Sequence, residues 1–200
     1  EWDSRCQDIA EWADSYMLQG ATATTMASNC REWLVDFANQ GAMRLTSSTT
    51  YVDGSESSFV SARNWGCANA AWAYLKTKKA SAYSDDDRAA IRAWFGGMGD
   101  DIMRYYQWAT DTLGSKQNNH MGFAMLACML CGIITNRRDL FDYAVGAQKH
   151  ILDDSLPDTF VKEDSVSRPL CGYNPDVGNP LPTRAMLMLD LDRYQTGEVH

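Results

Sequence analysis

The run Lys116-Gln117-Asn118-Asn119-His120 places amides and an imidazole directly before a very apolar stretch, Met121 to Thr135. Two readings of it stand side by side. In the structural one, an Asn side chain accepts the first free N–H groups of a helix and the His satisfies a loop carbonyl. In the chemical one, a helix N-terminus attracts anions, and amide and imidazole N–H groups donate to a carboxylate held there. An imidazole at that position could also move a proton near neutral pH.

A second cluster follows at Thr135-Asn136-Arg137-Arg138-Asp139-Leu140-Phe141-Asp142. It reads as a helix stop, a charge network and a new amphipathic helix, and its charges are expected to be structural. Further on, Arg168 precedes Tyr173 in a stretch whose other nearby cation is Lys162. Tyr173 reads equally as a core aromatic or as an acid and base, and Arg168 as a surface charge or a carboxylate partner. Upstream, Asn64-Trp65 is followed by Ala71-Trp72-Ala73, and Trp94-Phe95 by the segment Met98 to Tyr105.

Taken together, these pieces resemble the mannuronate-specific alginate lyases of polysaccharide lyase family 5, over roughly residues 26–189. The Asn-Asn-His motif alone is a weak signal. The same motif with the Thr135 to Asp142 run at matching offset is a strong one. The resemblance implies an α/α toroid of helical hairpins and a lyase acting on a uronate polymer. It implies that Asn119 and His120 act at the carboxylate and at C5, that Tyr173 is the acid and base, and that Arg168 is the arginine of the site. Asn118, Trp65, Arg63 and Phe123 would bind substrate. Two departures from the family are visible. Arg168 lies closer to Tyr173 than the family's arginine does, and Met121-Gly122 stand where the family has bulky aromatics.

The implied reaction is a β-elimination. A base removes the C5 proton beside the carboxylate, the C4–O bond breaks, and a C4–C5 double bond remains. The proton is weakly acidic while the carboxylate is negative, so hydrogen bonds or positive charge must neutralise that group as charge builds. One group must take the proton and one must give a proton to the leaving oxygen. No metal or other cofactor is required by this logic.

These residues need elements to hold them, and the chain reads as nearly all helical. Apolar spacing predicts helices over roughly 4–19, 25–44, 58–78, 84–108, 118–135, 137–153 and 183–194. Ser84 with Asp87 predicts a reciprocal helix cap. Gly96, Gly97 and Gly99 fall inside the fourth helix, where a kink or a close helix crossing would explain them. The fifth is apolar nearly all round and should be buried on most sides. Residues 46–58 read as a long loop rich in Ser, Thr and Gly, and 156–182, with five prolines, as another. The fold expectation is all-α: one domain over residues 1–200, a whole toroid or part of a longer one.

Charge and composition narrow the partners. A net charge of −8 argues against nucleic acid, which calls for a basic stripe. It sits awkwardly with a polyanion unless a local basic cleft focuses the field. Seven Trp and nine Tyr are bulky core if buried, and platforms for sugar rings if exposed along a groove. The longest apolar stretch is too short and interrupted to span a membrane. Six cysteines, Cys6, Cys30, Cys67, Cys128, Cys131 and Cys171, permit three disulfides in fifteen pairings. They favour a secreted or periplasmic protein. Cys128-x-x-Cys131 has no second ligand pair, so zinc is not expected. The start Glu1-Trp2-Asp3 reads as a mature or trimmed terminus. The expected partner is an anionic polysaccharide. An alternative from another class stays open: a non-catalytic helical carbohydrate-binding or structural module of an extracellular assembly.

Overall fold

The computed structural model describes residues 2–20, 23–45, 58–113, 119–155, 173–174 and 179–180, with side chains for 4–20, 23–45, 63–107 and 121–147. Six helices make up almost all of it: α1 (Trp2–Gln19), α2 (Thr24–Gln40), α3 (Ser58–Thr77), α4 (Asp85–Leu113), α5 (Asn119–Thr135) and α6 (Arg138–Ser155). Two short strands, β1 (Tyr173–Asn174) and β2 (Asn179–Pro180), pair antiparallel with Tyr173 opposite Pro180. They fall in the stretch read from sequence as loop. The expected helix at 183–194 and the expected loop at 46–57 lie outside the described residues.

The all-α expectation is met, and the packing has a simple order. Odd helices lean on odd helices, α1 on α3 and α3 on α5. Even helices lean on even ones, α2 on α4 and α4 on α6. The α1/α2 and α5/α6 hairpins, with α4 against α5, tie the two rows together. Two layers of helices built from successive hairpins are the repeating motif of an α/α toroid.

Sequence explains the boundaries. Gly41 ends α2 in the left-handed region, φ 58°, and Ala42 N–H returns to the Phe37 carbonyl at 2.9 Å. The helix expected to reach Arg44 therefore stops short, because a left-handed glycine closes it. Asn136, φ 57°, ends α5 in the same way, with Arg137 N–H on the Gly132 carbonyl at 2.9 Å. At the start of α4, Ser84 and Asp87 form the expected reciprocal cap: Asp87 N–H donates to Ser84 Oγ at 3.1 Å and Ser84 N–H to Asp87 Oδ2 at 2.9 Å. Arg31 of α2 adds a two-pronged bond to the same carboxylate, at 2.9 and 2.8 Å. That pairing holds the Asp87 carboxyl well below the usual aspartate range.

The glycines of α4 serve crossings. The helix continues unbroken from Asp85 to Leu113. A Cβ on Gly99 would stand 2.5 Å from Leu140 Cδ1 and 3.1 Å from Cys131 Cβ, so α5 and α6 press directly on its backbone. A Cβ on Gly97 would stand 1.8 Å from Arg44 Nη1, because the Arg44 side chain lies across it to reach Asp101 at 2.6 Å. The helix α5 is as buried as its composition requires, except at Ile133, which is exposed with Phe141 and Val145 of α6. No helix among the described residues is long and apolar enough to cross a membrane.

All five described cysteines, Cys6, Cys30, Cys67, Cys128 and Cys131, are buried, and no disulfide joins any two of them. The structure holds these five as thiols and so does not show the expected disulfide framework. They fill space in the crowded seams between helices, as small apolar side chains do.

Candidate functional site

The site has to be assembled from α3, α4 and α5. The helix α3 is dense in alanine on its inner face, Ala68, Ala70, Ala71 and Ala73 all being buried, which lets neighbouring helices approach. Two of its large side chains, Trp65 and Trp72, are instead exposed. Trp65 is 39% exposed. Its ring meets that of Phe123 on α5, with centroids 4.1 Å apart and planes at 34°. Phe123 sits one turn beyond Asn119 and His120, which are the first two residues of α5. The sequence pair Trp65 and Phe123, distant along the chain, is therefore one aromatic surface beside the start of the helix.

The two residues before Trp65 in sequence begin a polar chain. Arg63 is fully buried, and its Nη2 donates to Asn64 Oδ1 at 2.9 Å. Asn64, also fully buried, turns its amide Nδ2 toward Tyr106 Oη of α4 at 3.4 Å. Burial of a guanidinium and an amide costs free energy unless they are hydrogen-bonded, and side-chain partners of this kind also fix their orientation. Arg63 is thus buried rather than presented at the surface as Trp65 is, and one of its contacts is the bond to Asn64.

The remaining expected site residues are placed in part. The backbones of Asn119 and His120 open α5, and that of Tyr173 lies in β1; their side chains, together with Asn118 and Arg168, fall outside the described residues. Of the eight residues singled out, the structure therefore brings Trp65 and Phe123 into contact, buries Arg63 against Asn64, and starts α5 at Asn119.

Sequence reading passed over Tyr106. It stands in the pair Tyr105-Tyr106, both buried, with rings 5.0 Å apart. Only the crossing of α3 and α4 reveals that one of the two reaches Asn64. It also passed over Asp101, a buried carboxylate held by Arg44, by Arg104 at 2.7 Å and by the Leu45 N–H at 2.9 Å. Two guanidinium groups on one carboxylate leave a local positive balance on an acidic protein, and Arg104 is largely exposed. The charges at the start of α6 are structural, as expected. Arg137 bonds Asp100 at 2.7 Å and also Asp139, and Arg138 pairs with Asp142 at 3.1 Å. Its two carboxylate partners, Asp139 first, push the Arg137 guanidinium further above its ordinary value, and Arg137 in turn holds the Asp139 carboxyl low.

Comparison with known proteins gives a consistent family. A family profile described as Alginate lyase matches residues 1–158. A protein named alginate lyase from Azotobacter vinelandii is 36% identical over 124 residues, covering 60% of this chain and 30% of its own length. One of the same name from Pseudomonas fluorescens is 33% identical over 112 residues, 52% of this chain and 29% of its own. Another, from Pseudomonas aeruginosa, is 31% identical over 122 residues, 58% and 30%. The chain thus spans less than a third of the length of these relatives. No solved structure matches.

Proposed function

This chain belongs to the alginate lyase family, and from that premise we propose that it takes part in cutting a uronate polymer, alginate or polymannuronate, by β-elimination in a secreted or periplasmic setting. The observation that carries the reading is the aromatic surface of Trp65 and Phe123 beside the first turn of α5, where the Asn119-His120 pair begins. A flat apolar platform binds sugar rings, and a helix start favours the carboxylate those rings carry.

In this reading the platform holds a ring while Asn119 and His120 neutralise its carboxylate. Arg168 adds charge to the same end. Charge neutralisation lowers the cost of the dianion that forms as the C5 proton leaves. Tyr173, with His120, takes that proton and returns one to the C4 oxygen. The C4–O electron pair leaves with the oxygen, and the former C5–H pair becomes the double bond. Arg63 works at one remove: it holds Asn64, and Asn64 with Tyr106 fixes the turn of α3 that presents Trp65.

The test is the ultraviolet absorbance of the conjugated double bond while the purified protein meets polymannuronate, polyguluronate and other uronans. A rise that is lost in His120→Ala supports a lyase and identifies its substrate class. A flat trace with polymer bound would replace it with the binding module. A flat trace with no binding would leave a structural role.

A further inference from the structure

We propose that Cys67 and Cys131 form a cystine site, a cross-link between α3 and α5 that an oxidising compartment closes. Their sulfur atoms lie 3.7 Å apart, both residues are fully buried, and 64 residues of chain separate them. A disulfide requires about 2.05 Å between sulfurs, so small side-chain rotations on both helices bring the pair to bonding distance.

Three features favour pairing of Cys67 with Cys131 over Cys128 or Cys30. First, Cys131 is hemmed in: the backbone of α4 at Gly99 passes so near that a Cβ there would stand 3.1 Å from Cys131 Cβ. The thiol therefore has little room to turn away from Cys67. Second, Cys128, its neighbour one turn back on α5, points elsewhere, its sulfur toward the carbonyls of Leu140 at 3.6 Å and Gly99 at 3.9 Å. Third, Cys30 on α2 is engaged with the Ile9 carbonyl at 3.4 Å. Cys67 and Cys131, by contrast, meet sulfur to sulfur.

The chemistry is thiol–disulfide exchange with a disulfide oxidant, either oxidised glutathione or an oxidised protein dithiol. The Cys67 thiolate attacks one sulfur of the oxidant, forming a mixed disulfide and releasing one thiol. The Cys131 thiolate then attacks the Cys67 sulfur of that mixed disulfide, releasing the second. Two protons leave the protein, the cysteine pair is oxidised by two electrons, and the oxidant is reduced by two. Hydrogen bonding to Cys67 and burial hold the Cys131 thiol above its ordinary value in the folded protein. Exchange is accordingly fast before the core closes and slow afterwards. The bond forms during folding and then persists. It pins together the two helices that carry Trp65 and Phe123.

The test is a peptide map of the 200-residue chain refolded from its reduced, denatured state in a mixture of reduced and oxidised glutathione. Trypsin releases Cys67 in the peptide 64–76 and Cys131 in 117–137. Without reductant these two should appear joined, and they should remain joined in Cys128→Ser, which removes the other thiol of the second peptide. Reduction should then lower Tm by on the order of 10 °C, a shift absent in Cys67→Ser. Folded protein in which both thiols still alkylate after denaturation would overturn the proposal. So would linkage of Cys67 to any cysteine other than Cys131. The map does not use Cys67→Ser, so a Cys67→Ser chain that fails to fold leaves it decisive.

Discussion

Trp65 and Phe123 face each other with ring centroids 4.1 Å apart, although one sits on α3 and the other on α5. A tryptophan that is 39% exposed would expose still more apolar surface without that partner. The pair is held by burial of ring against ring, and its outer face remains available. Replacing Trp65 by Ala should raise KM for polymer roughly tenfold, a loss of about 1.4 kcal/mol of binding, with kcat little changed. Trp65→Phe should recover most of it. A kcat loss of the same size with KM unchanged would show that the ring acts in the transition state instead.

Proton transfer makes a sharper demand. His120→Ala and Tyr173→Phe should each lower kcat by about 10²–10⁴ and leave the helical circular dichroism signal as it was. Unchanged rates in both variants would remove these two residues from the reaction.

The Arg31–Asp87 pair should show in acid. Asp87 holds its proton less tightly in the folded chain, chiefly because Arg31 bonds it. Above the ordinary aspartate value, near pH 3.9, both folded and unfolded chains carry the charge and the pairing contributes in full. Below that value the unfolded chain takes up a proton that the folded chain refuses, and stability drops until Asp87 is protonated in the folded state too. Urea unfolding followed downward from about pH 5 should give a shallower loss of stability in Arg31→Met. Near neutral pH that variant should cost about 1 kcal/mol, since Arg31 is partly in solvent.

Gly99 has no room for a methyl group. Gly99→Ala would meet Leu140 Cδ1 at 2.5 Å and crowd Cys131. Overpacking of this kind costs about 1–3 kcal/mol, and chemical denaturation should show it as a lower midpoint with an unchanged slope. Gly146→Ala makes the control, because nothing lies within 4 Å of the position its Cβ would take.

Much of this arrangement was legible in the sequence, where local chemistry decides. The Ser84/Asp87 cap, the charge cluster at Arg137 to Asp142 and the burial of α5 are consequences of spacing and composition. The glycines of α4 were legible as a choice between kink and crossing, and packing chose crossing. The end of α2 was misplaced because its apolar period continues through Met43, and a single left-handed glycine at Gly41 overrides it. Tyr106 and Asp101 could not be found from spacing. Their partners Asn64, Arg44 and Leu45 lie on other elements, 42 to 57 residues away. Arg63 was legible as a cation near the site, but its full burial follows from the packing of α3 against its neighbours.

The α5/α6 hairpin turns through Asn136 and Arg137 alone, and the turn is closed by its own backbone bond from Arg137 to Gly132. Contacts across it span few residues, whereas α1 must find α3 across the whole of α2 and the segment that follows it. Local closures are entropically inexpensive and form early, and distant ones wait. The molecule therefore has an order in time as well as in space. In a pulse of hydrogen exchange during refolding, amides near the Asn136 turn should gain protection first, and the seam between α1 and α3 should gain it last.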